Sequence, residues 1–498
     1  MNETWIIAAA LVTPLLAMVG IGVFRNRPNL REGASLIAAA ILFGLAVWLV
    51  PGVADGDRPE LVLFEFLPGI SLGFQVEPLG LGFALIGSFL WFITTLYSIG
   101  YMRAHNENNQ TRFYLFFALA LGAVTGAAFA ANLVTLYVFY EALTLATIPL
   151  VTHSGGEESR RAGRVYVGIL LGTSLTMMLI AIAWIWILTG TTDFIAGGVF
   201  VEDGALIQGI TPGILGALLV LMVLGTGKAG LMPFHKWLPA AMVAPTPVSA
   251  LLHAVAVVKM GVFTVLKVTI YTFGIETLSS FDLGRALMYL AAFTLIAAGI
   301  FALREDNLKR RLAYSTISQL AYIVLGALLV TRLGSIAGGM TIAAHAFAKI
   351  TLFFCAGALM VTLHKTKVSE MNGVGRIMPI TMAAFLVASL SVAGLPFTGG
   401  FWGKWYLALG ALEADQIVMF WVILAGSLLS LSYLLPVAVR AFFAGPKDAP
   451  ITLAGEARWP MTVAISTTAV ITVLLFFAAE PIFGFLDTII FKGTITVQ

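Results

Sequence analysis

Charge and cysteine are scarce in this 498-residue sequence, and each shortage excludes a class of protein. Charged residues make up 11% of the chain, whereas soluble globular domains average roughly 25%. The 28 Lys+Arg and 25 Asp+Glu residues are too few to cover a soluble surface, which excludes a cytoplasmic enzyme and a disordered scaffold. The single cysteine, Cys355, allows neither an internal disulfide nor a cysteine-ligated zinc or iron–sulfur site.

The chain also lacks the short motifs of common enzyme sites. It contains no glycine-rich phosphate loop, no CxxC pair and no nucleophile elbow. We therefore expect this chain to perform no bond chemistry and to hold neither a cofactor nor a metal.

Apolar residues, in contrast, are abundant: they account for 59% of the chain and form long continuous runs. Such runs exclude an outer-membrane barrel, whose strands alternate between apolar and polar residues. The N-terminus carries no basic residue before the apolar run 5–24, so we interpret this run as a retained membrane helix and not as a signal peptide. The sequence predicts an all-α polytopic membrane protein.

The number of spans follows from the thickness of the bilayer. A helix needs roughly 20 apolar residues to cross a hydrocarbon core of ~30 Å. Along this chain that length predicts 14 transmembrane helices, near residues 5–24, 34–51, 78–101, 113–130, 132–152, 165–189, 213–230, 247–272, 285–303, 312–331, 336–362, 378–398, 416–439 and 460–486.

The loop charges support this even count, with both termini on the outer side. When the loops are assigned to alternate sides, 19 basic residues fall on one side and 5 on the other. Basic residues concentrate in cytoplasmic loops, so the larger set marks the cytoplasmic side. That set is Arg25, Arg27, Arg31, Arg103, Arg112, Arg160, Arg161, Arg164, Lys236, Arg304, Lys309, Arg310, Arg311, Lys365, Lys367, Arg376, Arg440, Lys447 and Arg458; the smaller set is Arg58, Lys267, Arg285, Arg332 and Lys492.

Four lysines belong to neither set, because Lys228, Lys259, Lys349 and Lys404 fall inside apolar spans or at their interruptions. Glu141 is the one acid placed clearly inside a span. A charge at a helix centre costs about 2.5–3.5 kcal/mol on insertion scales, so such residues usually have a function. Snorkelling or a structural Lys–Glu pair is the alternative, but one carboxylate cannot neutralise four lysines. We infer that some of these lysines are neutral part of the time and carry protons.

Two histidines, His253 and His345, share spans with these lysines. His345 and Lys349 are four residues apart and therefore lie on one helical face, where they can exchange a proton. His253 and Lys259 are six residues apart and point in different directions. A histidine that only packs and forms hydrogen bonds is the alternative for each, but a lysine in both spans favours a relay.

Two spans contain similar glycine- and proline-rich interruptions. The seventh reads GTGKAGLMPFHKWLP (225–239) and the twelfth reads VAGLPFTGGFWGKWYL (392–407). Two such segments five helices apart indicate an inverted structural repeat with broken helices, although kinks of this kind are also common in single membrane helices.

These segments, together with APTPVSALLHAVAVVKMGVF (244–263), NLKRRLAYSTISQLAYIV (307–324) and HAFAKITLFFCAGAL (345–359), resemble a known family. It comprises the antiporter-like membrane subunits of Mrp-type Na⁺/H⁺ antiporters and of the proton-pumping arm of respiratory complex I. The resemblance covers roughly residues 70–440 and implies two inverted five-helix repeats with broken helices 7 and 12. The implied divisions are 1–112 (helices 1–3), 113–272 (first repeat), 285–442 (second repeat) and 443–498 (last helix).

The resemblance also implies roles for the intramembrane residues. Protons would enter near His235 and Lys236, and Lys228 paired with Glu141 would act as a switch. The proton would then pass laterally along a buried relay to its exit. The relay residues are His253, Lys259, His345, Lys349 and, at the exit, Lys404.

The function implied is that of a proton-translocating subunit of a multisubunit cation/proton antiporter in the bacterial cytoplasmic (inner) membrane. The end of the chain at Gln498, without a long extension, makes it most like the D-type subunit of Mrp antiporters, although the segment 246–259 is closer to the L and A types. Lys404 is a lysine where the M-type subunit of complex I usually has glutamate. The expected partners are other membrane subunits, lipid and protons, with sodium as a further candidate and no nucleic acid.

Three other functions stay open at this point. The nearest is a proton-pumping subunit of a complex I-like NADH dehydrogenase or hydrogenase, in which this chain would act only as the translocase. A redox subunit with His253 and His345 as haem ligands is a second, and a stand-alone solute transporter is a third.

Overall fold

The computed structural model describes residues 3–68, 70–202, 204–445 and 455–491, so Lys447 and Lys492 of the charge count lie outside the described residues. Within these ranges the chain is almost entirely helical. The main helices are α1 (Thr4–Val23), α2 (Pro28–Asp55), α3 (Pro78–Ala104), α4 (Gln110–Ala128), α5 (Leu133–Val151), α6 (Glu157–Thr189), α7 (Pro212–Gly225), α8 (Thr246–Phe273), α9 (Arg285–Arg304), α10 (Leu308–Leu328), α11 (Arg332–Leu363), α12a (Pro379–Ala393), α12b (Gly400–Glu413), α13 (Ile417–Phe443), α14 (Trp459–Phe477) and α15 (Ala479–Phe491).

Smaller elements connect or interrupt these helices. α6 contains a π-helical turn at Ser174–Met178, and α8 contains two, at Leu251–Val255 and Thr269–Phe273. Short helices lie at Trp237–Ala240 and Ile275–Ser280, and 3₁₀ turns at Gly227–Ala229, Ala241–Val243, Val368–Glu370 and Val374–Arg376. Two antiparallel hairpins are formed by β1 (Glu60–Leu67) with β2 (Ile70–Gln75) and by β3 (Val201–Glu202) with β4 (Ala205–Leu206).

The predicted polytopic helical fold is confirmed, and the helices are consistent with 14 spans. In the described part of the chain, 11 helices are long and apolar enough to cross a membrane. The other three predicted spans correspond to α7 and α12a, which are apolar but short, and to α10. α10 is less apolar because it begins with Lys309, Arg310 and Arg311 and carries a row of serine, threonine and glutamine side chains.

The two interruptions arise where the sequence supplies glycine and proline. After α7 the chain makes one 3₁₀ turn and reverses at Gly230, whose φ of +70° is unfavourable for residues with a side chain. After α12a the chain turns at Gly394, with φ +83°, and Pro396 follows directly. Both helices therefore end at the positions that the sequence predicts, α7 within the protein interior and α12a next to the exposed residues 395–397.

α8 forms the centre of the molecule. Every residue from Thr246 to Phe273 is buried, and the helix packs against α3, α10 and α11. Gly261 allows the closest approach, because a Cβ atom there would lie 2.2 Å from the backbone nitrogen of Ala229. The absence of a side chain at Gly261 therefore lets α8 contact the first interruption directly.

Three placements predicted from the sequence are wrong. Lys267 does not belong to a loop: it lies inside α8 with 1% of its surface exposed, because Glu77 of α3 neutralises it there. Arg31 is not in a loop either, since it is buried in the first turn of α2, which begins at Pro28, and it pairs with Glu32. The predicted last span 460–486 is two helices, since α14 ends at Phe477 and α15 begins at Ala479.

Candidate functional site

The side chain of Lys228 lies at the first interruption and is completely buried. Its ammonium donates hydrogen bonds to the carbonyl oxygen of Tyr140 at 2.8 Å and to the hydroxyl of Thr144 at 2.6 Å, both on α5. The same nitrogen lies 3.1 Å from the centroid of the Tyr140 ring, a cation–π contact. The break in α7 makes this possible, because it places the Lys228 backbone beside the middle of α5.

Glu141 does not contact Lys228 in this structure. The Lys228 ammonium is hydrogen-bonded to the carbonyl oxygen of Tyr140, the residue before Glu141, and to the Thr144 hydroxyl. Among the residues that the structure describes, no ion pair joins Lys228 and Glu141. Both carboxylate oxygens of Glu141 are buried and have no hydrogen-bond partner among the described residues. The expected direct pair is therefore absent here, because the Tyr140 carbonyl and the Thr144 hydroxyl take up the ammonium.

The central residues of the predicted relay meet between α8 and α11. Lys259 is hydrogen-bonded through its ammonium nitrogen to Nδ1 of His345. His253, in the first π-helical turn of α8, packs its ring 5.1 Å from that of Phe353, and neither ring nitrogen has a partner in the described residues. His253 and Lys259 thus point to different neighbours, as their spacing predicts.

Lys349 extends the series of polar sites toward α10 and α13, although not through His345. Its ammonium donates to the Ser315 hydroxyl at 2.6 Å, and the Tyr433 hydroxyl donates to the same oxygen at 2.9 Å. Ser430 lies 3.2 Å from the Tyr433 hydroxyl and accepts a hydrogen bond from Gln319. These groups form a buried hydrogen-bonded chain between α10, α11 and α13.

Lys404 lies at the second interruption, on α12b. Its ammonium donates to the carbonyl oxygens of Val392 at 2.8 Å and Ala393 at 3.3 Å, the last two residues of α12a. A third bond, of 3.2 Å, joins it to the Ser427 hydroxyl, and the Tyr322 ring centroid lies 4.4 Å away. The side chain is 7% exposed, so it is nearly as buried as Lys228.

The two residues at the expected point of proton uptake differ from the buried lysines. Lys236 is exposed and His235 is half-buried, with one ring nitrogen unpartnered in the described chain. Both follow the first interruption by a few residues. Their exposure is compatible with contact to water at that end of α7.

Several residues of the site carry little or no signal in the sequence. Tyr140, Thr144 and Ser427 hold the two lysines at the interruptions, yet each is an ordinary residue of an apolar helix. Ser315 and Gln319 carry a signal, because they are four residues apart in α10 and so share one helical face. The Lys267–Glu77 pair gives no local signal, since its members are 190 residues apart in the chain.

The arrangement is suited to moving protons. The four lysines at the predicted positions are held by carbonyl, hydroxyl or imidazole groups and not by carboxylates. Such neutral partners stabilise an ammonium less strongly than an ion pair does. A lysine in these surroundings can lose its proton to a neighbour at a smaller cost than a lysine held in an ion pair.

Comparison with known families supports this description. Residues 130–430 match the family described as "NADH:quinone oxidoreductase/Mrp antiporter, TM". Residues 68–114 match "NADH-Ubiquinone oxidoreductase (complex I), chain 5 N-terminus".

The similar proteins include subunits of NADH-quinone oxidoreductases and subunits of cation/proton antiporters. The chain is 31% identical to NADH-quinone oxidoreductase subunit N of Desulforudis audaxviator, over 82% of this chain and 80% of that protein. It is 29% identical to the D-type subunit of the Na(+)/H(+) antiporter of Alkalihalophilus pseudofirmus, over 76% of this chain and 75% of that protein. It is 30% identical to NADH-quinone oxidoreductase subunit L of Mycobacterium tuberculosis, over 92% and 70% respectively.

Two solved structures share the fold. A chain of the Mrp complex from Dietzia sp. DQ12-45-1b superimposes with a TM-score of 0.83, at 22% identity, over 99% of this chain and 98% of that chain. A chain of an archaeal membrane-bound sulfane sulfur reductase gives a TM-score of 0.85 at 22% identity, over 97% of both chains.

Proposed function

The chain belongs to the NADH:quinone oxidoreductase/Mrp antiporter transmembrane family, and from this premise we propose that it is a proton-translocating subunit of a multisubunit cation/proton antiporter. The observation that carries the proposal is the pair of buried lysines at the two helix breaks, Lys228 and Lys404, each held by neutral oxygens. A buried cation in this position has a high insertion cost, which indicates a function in transport.

The proposed route connects these two lysines. Protons reach Lys228 from the end of α7 where His235 and Lys236 lie. They then pass the His253, Lys259 and His345 group and the Lys349 chain, and leave from Lys404. The Lys259–His345 and Lys349–Ser315 hydrogen bonds support the middle of this route.

Glu141 acts in this proposal as the switch for Lys228. Its unpartnered, buried carboxylate lies one residue from Tyr140, whose carbonyl holds the lysine. A carboxylate that moves toward the ammonium stabilises the charged lysine, and one that moves away or is protonated favours proton release. The separation of the two side chains in the described residues is the arrangement expected of the unpaired state of such a switch.

We place the chain in a bacterial inner membrane with other membrane subunits, and with both termini outside. The positive-inside distribution of loop charges supports this orientation. The similarity to the D-type subunit of a Na(+)/H(+) antiporter supports a D-type role, and Na⁺ is the candidate counter-ion on the same ground. The proposal also divides the chain into N-terminal helices (1–112), a first repeat (113–272), a second repeat (285–442) and a C-terminal part (443–498).

A second function has specific support. The 31% identity to a subunit N of an NADH-quinone oxidoreductase favours a proton-pumping role in a complex I-like assembly. In that case the same buried route is driven by a redox reaction in other subunits, and this chain remains the translocase. Subunits that purify together with a tagged chain distinguish the two assemblies.

The test replaces the switch residues in the assembled complex. Lys228→Ala and Glu141→Ala are each expected to reduce proton transport in everted membrane vesicles by at least about tenfold, because a positioned proton carrier typically contributes 10²–10⁴. Lys365→Ala is the matched control, since Lys365 is a partly exposed lysine in the loop after α11. Near-normal transport in both Lys228→Ala and Glu141→Ala would contradict the proposal.

A further inference from the structure

A second buried ionic cluster lies at the end of α8 that faces the β1–β2 hairpin. Lys267 is 1% exposed and donates to Oε1 of Glu77 at 3.2 Å and to the carbonyl oxygen of Ala130 at 2.8 Å. The Tyr271 hydroxyl, one helical turn further, donates to Oε2 of Glu77 at 3.1 Å. None of these three side chains belongs to the route described above.

Glu77 has a structural role as well. It is the N-cap of α3, and its carboxylate accepts the backbone N–H groups of Leu79 at 2.7 Å and Gly80 at 2.8 Å. A cap needs only one acceptor oxygen and no cation, and serine or asparagine would suffice. The cap therefore does not account for a buried lysine and a tyrosine on the same carboxylate.

On one side, the cluster shares α8 with the central relay. Lys267 lies eight residues after Lys259 in the same helix, which is roughly 12 Å along the axis. Between them, the Thr264 hydroxyl is completely buried and has no hydrogen-bond partner among the described residues. Thr264 is three residues before Lys267 and so shares its helical face. The Thr264 hydroxyl is thus a polar group on the stretch of α8 between the two lysines.

On the other side, the cluster is one aromatic ring away from an open cavity. The Phe194 ring centroid lies 4.8 Å from the Lys267 ammonium, and Phe194 also lines a cavity of about 390 Å³. The same cavity is lined by the acidic residues Glu60, Glu65 and Asp193. It lies beside β1 and β2, on the side that carries few basic residues and is therefore the outer side in the proposed orientation.

We propose that Lys267 and Glu77 form a second outlet beside that at Lys404, a proton gate between the central relay and the outer surface with Phe194 as its lid. The inference rests on the proposed function. A proton leaves the Lys267 ammonium and binds Oε1 of Glu77, which leaves a neutral amine and a carboxylic acid. The acid then releases the proton to water in the cavity, and Lys267 is protonated again from the direction of Lys259. The acidic lining of the cavity attracts the released proton.

The substitution Lys267→Arg separates this role from a structural one. Arginine keeps the positive charge and the bond to Glu77 but does not lose its proton in proteins. We expect normal assembly and a fall of proton transport in everted vesicles to roughly half, since arginine closes this outlet while the one at Lys404 continues to work. Lys365→Arg is the matched control, because Lys365 is a partly exposed loop lysine that donates to the Glu370 carbonyl.

A second variant keeps the test decisive if Lys267→Arg does not assemble. Glu77→Gln retains an acceptor oxygen for the α3 cap but cannot carry a proton, and it is expected to give the same loss of transport. Wild-type transport in the variant that assembles would overturn the gate. If the gate variants transport normally but Lys228→Ala does not, the gate is refuted and the proposed function is retained. Normal transport in both Lys228→Ala and Glu141→Ala would refute the proposed function itself.

Discussion

At the first helix break, the Lys228 ammonium has two oxygen partners on α5. Glu141 is the residue directly after one of them, Tyr140. At the second break, Lys404 has three oxygen partners, and two of them are the last carbonyls of α12a. The C-terminal end of a helix carries partial negative charge, which favours a cation. The Tyr322 ring lies near Lys404 as the Tyr140 ring lies near Lys228, but the residue after Tyr322 is Ile323 and not an acid.

The difference shows two ways to keep a lysine charged inside a membrane. At the second break the stabilisation comes from backbone dipoles, which cannot be protonated and move only if the helix moves. At the first break the described partners are one carbonyl and one hydroxyl, and the proposed switch adds the Glu141 side chain, which can rotate or bind a proton. In the proposed route, the first lysine therefore switches and the second has a constant role at the end.

The largest effect is expected where the first break meets α8. A Cβ atom at Gly261 would lie 2.3 Å from the carbonyl carbon of Lys228, and the backbone cannot move aside cheaply. Gly261→Ala should therefore destabilise the protein by about 3 kcal/mol or more, the upper part of the range for overpacking. Within α12b, Gly403→Ala meets the Thr341 hydroxyl at 2.5 Å, a side-chain group that can rotate away, so a smaller loss is expected.

The measurement is the thermal stability and the yield of the assembled complex. Gly168→Ala is the control, because a Cβ atom in that helical position has no neighbour within 4 Å. Equal losses for Gly261→Ala and Gly403→Ala would show that the Thr341 hydroxyl cannot rotate away, which contradicts the prediction.

An intermediate effect is expected from the hydroxyl partners of the two lysines. Thr144→Val removes one of two acceptors, at 2.6 Å, whereas Ser427→Ala removes one of three, at 3.2 Å. A hydrogen bond to a charged group contributes about 1.5–3 kcal/mol, so Thr144→Val should slow transport more, by roughly tenfold. The test compares the transport rates of the two variants at equal amounts of assembled complex. A larger effect of Ser427→Ala would indicate that Lys404, and not Lys228, is the switch.

The smallest effect is expected far from both breaks, at Asp306. Burial alone would raise the pKa of this carboxyl, but hydrogen bonds from the Ser369 hydroxyl and amide, with Arg311 and Lys367 nearby, hold it below its ordinary value. The resulting stability is present above the ordinary pKa of about 3.9 and is lost as the pH falls through the lower folded value.

Asp306→Asn should therefore cost less than about 1 kcal/mol at neutral pH, because its carboxylate is close to the protein surface and screened by solvent. The difference from wild type should shrink below about pH 4, as measured by thermal unfolding. Transport should be unchanged. A change in transport as large as that of Thr144→Val would show that the breaks are not the sensitive parts of the molecule.

Local features make the two breaks predictable from the sequence. Each combines glycine, proline and lysine within about 15 residues of an apolar run, as in 225–239, and each of these residues affects the helix in which it lies. The structure places Lys228 and Lys404 at the breaks, as expected. The β1–β2 hairpin is not predictable in this way, because its strands are short and β1 is largely exposed.

Contacts between distant residues leave no comparable local signal. In the sequence, Lys267 stands near the end of an apolar run. A charge at the end of a membrane span is usually assigned to the adjoining loop, which is why the sequence predicts a loop position for this lysine. Its partner Glu77 belongs to a helix N-cap 190 positions earlier, where an acid is ordinary. The partners of Lys228 are hidden for the same reason, since a tyrosine carbonyl in α5 has no sequence signature.

The complete burial of α8 has a consequence for the synthesis of the chain. This helix carries Lys259 and Lys267, and each lysine costs about 2.5–3.5 kcal/mol when it enters lipid alone. The partner of Lys259, His345, follows 86 residues later, so α8 emerges from the ribosome well before that partner is available. Its release from the translocon into the bilayer is therefore expected to wait for α11, so the middle of the protein reaches its final position later than its place in the chain suggests.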